Sequence, residues 1–187
     1  LARRPHFAAL LDGETVDLLC KSAPLHDIGK IGVADRALLK PGRLSEDEYE
    51  EIKQHTRYGR EAIERAEQFY GGAVRQSFLQ FGKEMAYSHH EHWDGGGYPE
   101  GLRGEAIPLS GRIMAIADVY DALICRRRYK PSFTHEEAVA LIEQGGGSHF
   151  DPLLTEVFLE RQEVFRRIAR EFPDRDDTDQ PERTTTG

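Results

Sequence analysis

Residues 110–127 read "SGRIMAIADVYDALICRR". Ile113, Ile116, Ala117, Tyr120, Leu123 and Ile124 recur three and four residues apart, which is one face of an α-helix. Met114, Asp118 and Asp121 form a neighbouring row, so a carboxylate falls beside the apolar stripe in mid-helix. Ser110 stands where an N-cap is expected.

The same period extends in both directions. Upstream, "ETVDLLCKSAPLHDIGK" from Glu14 predicts a helix with Val16, Leu19, Cys20 and Ala23 on one face and a kink at Pro24. Ser45 and Glu48 make a capping box for "SEDEYEEIKQHTRYGREAIERAE", in which Ile52, His55, Gly59 and Ile63 share a face. A further helix is expected from about Val74 to His92, with Phe78, Met85, Ala86 and His89 in register. A loop rich in Gly and Pro follows over about 93–109. Downstream, Thr134 and Glu137 box the start of "HEEAVALIEQ", Gly145 to Gly147 stop it, and Asp151-Pro152 opens the last long helix. Alternating strand patterns are scarce, so the fold class is all-α.

The net charge of −8, from 25 basic and 33 acidic residues, argues against DNA or RNA, which need a basic face. It leaves room for a small anionic ligand in a locally positive pocket. No apolar run approaches the ~18 residues of a membrane span, and nothing resembles a signal peptide, so the expected compartment is the cytoplasm. Cys20 and Cys125 have no paired spacing and read as reduced core residues. The chain opens on "LARRPHF" without Met and reads as a piece of something longer. Residues 1–171 are taken as one domain and 172–187, "FPDRDDTDQPERTTTG", as a disordered polar tail.

Metal-ligand chemistry is concentrated at a few places. His26 and Asp27 are adjacent near a helix end, His55 lies on an apolar face, His89 and His90 are adjacent, and Asp118 is in mid-helix. Each alone has a plain explanation: "HD" is a common dipeptide, and a His on an apolar face is usually a satisfied core residue. Together they place four imidazoles and two carboxylates in four helical segments near inward-facing positions. Burying them unpaired would cost several kcal/mol per group, and coordination removes that cost. A mixed nitrogen and oxygen set leans toward Fe or Mn. A carboxylate such as Asp27 could bridge two ions at the ~3.5–4 Å used in two-metal hydrolysis.

At these residues the chain resembles the HD-GYP family of HD phosphohydrolases. The likeness rests on "HDIGK", "LLKPGRL", "QHTRYG", "HHEHWDGGGYP", "ADVYDAL", "RRRYK" and "GSHFDP", in that order, over roughly residues 12–160. It implies an HD-type helical bundle with a long GYP loop, two divalent metal ions with a third in some members, and hydrolysis of cyclic di-GMP to pGpG or GMP. It also implies an upstream receiver or sensor domain, with a second copy of the chain as a candidate partner. By position, His26, Asp27, His55, His89, His90 and Asp118 match metal ligands, with Asp27 bridging. Lys30 matches the lysine beside the bridging water and scissile phosphate. Gly97, Tyr98 and Pro99 are the namesake loop, and Arg127 and Lys130 match phosphate-binding positions. Asp27 and Lys30 are therefore the catalytic candidates, with a metal-bridging hydroxide as nucleophile.

One departure stands out. Relatives carry a further helix before the HD helix that can bring another ligand, whereas here about 25 residues precede His26 and His6 lies in a different context. Two other readings stand beside catalysis on cyclic di-GMP. One is a weakly catalytic cyclic-dinucleotide-binding or protein-interaction module, and the other is an HD phosphohydrolase acting on another nucleotide.

Overall fold

The computed structural model describes residues 1–2, 4–69, 78–125 and 133–172. Helix starts are set by side-chain caps. Asp12 accepts from the Thr15 N–H at 2.7 Å and opens α2, Gly13–Ser22, after a single turn, α1, at Pro5–Ala8. The Ser45–Glu48 box closes at 2.7 and 3.3 Å and opens α4, Glu46–Lys53, after the short α3, Asp35–Leu38. The Thr134–Glu137 box opens α8, His135–Gln144, and Asp151 opens α9, Pro152–Glu171, with Pro at the first position. The remaining helices are α5, His55–Phe69; α6, Phe78–Ser88; and α7, Leu109–Ile124. No strand occurs among the described residues beyond one isolated bridge, Gly146 to Phe150. No helix there is long and apolar enough to cross a membrane.

The main core lies between α7, α8 and α9. Ile116 and Tyr120 from α7, Ile142 from α8, and Leu154 and Phe158 from α9 close around Phe7 and Leu11 from the first turns. Each such side chain contributes about 1.5–3 kcal/mol by leaving water. On the other flank, α5 packs against α6, and α6 against α2 and α7. Helix α7 is thus shared, its apolar stripe on the core and Asp118 turned to the second flank.

Four local expectations change. Helix α2 turns Val16 and Cys20 of the expected face to solvent, keeps Leu19 and Ala23 partly buried, and adds Leu18 and Ser22. At 100° per residue, Leu18 and Ser22 lie on the far side of Leu19 from Val16 and Cys20, so the buried face is rotated from the expected one about Leu19. The long run after Ser45 is broken at Gln54, where His55 Nδ1 and the Thr56 hydroxyl bond the carbonyls of Ile52 and Lys53 at 2.7 and 2.9 Å. Helix α6 ends at Ser88 and not His92, with Ser88 Oγ on the Glu84 carbonyl and His89 Nδ1 on that of Met85. Ser110 is not a cap: α7 starts at Leu109, and the Ser110 hydroxyl donates to the Glu84 carboxylate.

Candidate metal centre

Four segments deliver the predicted ligands to one place. His26 and Asp27 occupy the turn between two 3-10 segments, Ala23–Leu25 and Ile28–Gly32. His55 is the first residue of α5, His89 and His90 follow the end of α6, and Asp118 projects from the middle of α7. The two sides meet because Gly29 has no side chain. A Cβ there would stand 1.9 Å from the His55 carbonyl oxygen and 2.4 Å from the Gly59 nitrogen. Only glycine lets the His26–Asp27 turn approach α5 this closely.

His26 Nε2 stands 3.3 Å from Asp27 Oδ2 and 3.6 Å from Asp118 Oδ1. Asp27 Oδ1 faces His55 Nε2 at 3.5 Å and His89 Nε2 at 3.9 Å. The rings of His55 and His90 are 5.1 Å apart, and those of His89 and His90 4.0 Å. Potential ligand atoms fall into two triads, His55–His89–His90 and His26–Asp27–Asp118, each within 4.8 Å.

Second contacts fix the tautomers. Nδ1 of His26, His55 and His89 lies 2.8, 2.7 and 2.8 Å from the carbonyls of Ala23, Ile52 and Met85. A carbonyl only accepts, so each Nδ1 carries a proton, and Nε2 of His55 and His89 presents a lone pair inward while Nε2 of His26 faces the carboxylates of Asp27 and Asp118. Asp27 Oδ1, His55 Nε2 and His89 Nε2 are buried with no hydrogen-bond partner among the described residues. Lone pairs aimed at one another repel, and a cation among them removes the repulsion. The donor set therefore fits a divalent metal ion.

Charge follows burial. Burial holds the His89 imidazole down to about 4, helped by the neighbouring His26, and burial also lowers His55. His90 is lowered by burial and by His89. Burial pulls on His26 too, but the carboxylates of Asp118 and Asp27 outweigh it and hold it up to about 10. Asp27 sits well below the usual carboxylate range: burial raises it, and hydrogen bonds from His26 and Lys30 prevail. Lys30 rests its ammonium directly on Asp27 Oδ2.

The GYP loop packs as a lid on His90. The Tyr98 N–H bonds the His90 carbonyl at 3.1 Å, and the Tyr98 ring stacks on the His90 ring at 4.8 Å. The Tyr98–Pro99 bond is cis. A Cβ on Gly97 would stand 2.2 Å from the His92 nitrogen, so the chain can fold back there only as glycine. Glu91, a ligand-type residue in the sequence, is 2% exposed and turns away from the centre. Its two oxygens accept the N–H groups of Glu100 and Leu102 at 2.8 and 2.9 Å and pin the loop. Its role could not be read from type or spacing. Among the other histidines, His92 and His149 pack ring on ring at 3.9 Å, His135 meets the Tyr120 hydroxyl at 2.9 Å, and His6 pairs with Glu105 at 3.5 Å. Arg127 and Lys130 lie outside the described residues.

A family profile described as "HD domain" matches residues 6–154, and the chain belongs to that family. Within it, the HDIGK and GYP segments and the relatives it matches make it a member of the HD-GYP branch. A cyclic di-GMP phosphodiesterase of Vibrio cholerae is 53% identical over 93% of this chain and 35% of its own length. The cyclic di-GMP phosphodiesterase response regulator RpfG of Xanthomonas campestris is 41% identical over 92% of this chain and 45% of its own. A solved cyclic GMP-AMP specific phosphodiesterase of V. cholerae has the same fold, with a TM-score of 0.59 and 24% identity over 88% of this chain and 42% of that one. The chain thus spans less than half the length of each.

Proposed function

We propose that this chain is the hydrolase domain of a metal-dependent cyclic-dinucleotide phosphodiesterase, cleaving cyclic di-GMP to pGpG or GMP. The observation that carries the reading is the convergence of buried, unpartnered acceptor atoms, Asp27 Oδ1 with His55 and His89 Nε2, on one point. His26, Asp27, His55, His89, His90 and Asp118 would hold two divalent ions, Fe or Mn by the mixed donor set. When bound, such ions polarise a phosphoryl oxygen and bring the pKa of a water near neutrality. The chain's own residues do the rest. The backbone carbonyls behind His26, His55 and His89 orient the imidazoles. Lys30, held by Asp27, supplies positive charge at the edge of the centre, where phosphate oxygens gain negative charge. Arg127 and Lys130 would orient the second phosphate of a cyclic dinucleotide.

The names of the relatives support this substrate class, and a response-regulator relative supports a sensory or receiver domain upstream in the same cytoplasmic protein. A second copy of the chain is a candidate partner. Metal-loaded protein should convert cyclic di-GMP to linear products resolved by chromatography. A metal-loaded, folded protein that binds cyclic di-GMP and leaves it intact would move the chain to a binding output module.

A further inference from the structure

Helix α4 reads "EDEYEEIK", with five acids, one cation and one aromatic ring, and its C-terminal end stands beside the lid of the centre. The Lys53 ammonium lies over two rings, 5.1 Å from Tyr49 and 5.4 Å from Tyr98. The same ammonium pairs with the Glu50 carboxylate. Tyr49 meets Tyr98 edge-on at 6.4 Å, and Tyr98 stacks on His90. Three rings in succession therefore lead from the candidate metal centre to solvent. The outermost, Tyr49, is 48% exposed, which leaves ring surface open to a planar ligand.

An acidic helix is a poor neighbour for phosphate and a good one for a group that donates N–H bonds. We infer that Tyr49, Glu50 and Lys53 form a nucleobase subsite at the mouth of the centre, and that it prefers guanine. The inference rests on the cyclic di-GMP reading above and names the residues that would hold one of its bases. A base stacks on Tyr49, as bases do on exposed aromatic rings. Guanine then presents two adjacent N–H donors on its Watson–Crick edge to the two oxygens of Glu50, an acceptor-only group. Adenine offers one donor beside an acceptor, and that acceptor meets the carboxylate unfavourably. Lys53 positions the arrangement by holding both rings and Glu50 together.

The test is steady-state kinetics of the full-length, metal-loaded protein on cyclic di-GMP, cyclic di-AMP and methyl p-nitrophenyl phosphate, a diester with no nucleobase. Tyr49→Leu should lower kcat/KM for cyclic di-GMP relative to the small diester by about tenfold, through KM, with Tyr49→Phe restoring the ratio. Glu50→Gln should reduce the preference for cyclic di-GMP over cyclic di-AMP. An unchanged ratio in Tyr49→Leu, or a parallel loss on both substrates, overturns the subsite and makes Tyr49 a prop for Tyr98. Wild-type protein that cleaves the small diester but no cyclic dinucleotide defeats the substrate reading itself, and the subsite with it.

Discussion

Asp27 and Asp151 are both poorly exposed carboxylates at the start of helical segments, each against a cation, yet their surroundings differ. Asp151, 3% exposed, spends both oxygens: Oδ2 takes Arg112 at 2.6 Å, and Oδ1 takes the N–H groups of Leu153 and Leu154. Arg112 in turn bonds the Ile107 carbonyl at 3.0 Å and lies over the Trp93 ring. Asp27 spends one oxygen on Lys30 and His26 and points the other at two imidazole lone pairs. A satisfied buried carboxylate holds a structure together. One left facing lone pairs, with two further histidines and Asp118 gathered round it, marks where a cation belongs.

The contrast can be tested from either side. Asp27→Ala should abolish diester hydrolysis, by ~10³-fold or more, while circular dichroism stays helical. Turnover that survives would remove Asp27 from the chemistry. Arg112→Met should do the reverse. It strands Asp151 as a buried, unpaired charge, at a cost of ~3–5 kcal/mol. For a chain of this length that is a fall in Tm of roughly 6–20 °C. A Tm within a degree or two of wild type would mean that Asp151 is kept by its helix cap alone.

His149 gives a smaller effect, set by pH. Burial first, and the charge of His92 second, hold its imidazole down to about 4 from an ordinary value of 6.5. The unfolded chain therefore takes the proton first as pH falls. Its contribution to stability is complete above 6.5 and is lost between 6.5 and about 4. His149 is partly exposed, so screening reduces the loss to about 1–2 kcal/mol. Urea melts at pH 7 and pH 4.5 should differ by that much more in wild type than in His149→Gln. An equal loss of stability in the two proteins would show that the imidazole is not desolvated.

Glu91→Gln is expected to have the mildest effect. An amide has one acceptor oxygen, so one of the Glu100 and Leu102 N–H groups loses its partner, at about 1 kcal/mol. Amide exchange at those two residues should quicken, and KM for cyclic di-GMP should rise a few-fold. Unaltered exchange would free Glu91 of its role in the loop.

Much of this was legible in the sequence because caps and clusters of metal-binding residue types are local signals. Ser45–Glu48, Thr134–Glu137 and Asp151-Pro152 name their own helix starts. The gathering of His26, His55, His89, His90 and Asp118 followed from many polar groups on inward faces. What was not legible depends on partners distant in sequence. Glu91 has the chemistry of a ligand, and only the position of the Glu100 and Leu102 amides makes it a loop anchor. Cys20 and Val16 shared the expected buried face with Leu19, and packing against α6 rotated the helix toward Leu18 and Ser22. Gly29 carries no signal in isolation, and its meaning lies in the His55 carbonyl against it.

The most direct measurement is elemental analysis of protein purified without added metal, alongside His55→Ala and Asp27→Ala. About two equivalents of Fe or Mn per chain are expected in wild type, with a clear loss in both variants. Wild-type protein that is folded and binds no transition metal, even after reconstitution with excess Fe or Mn, would contradict a shared cation centre.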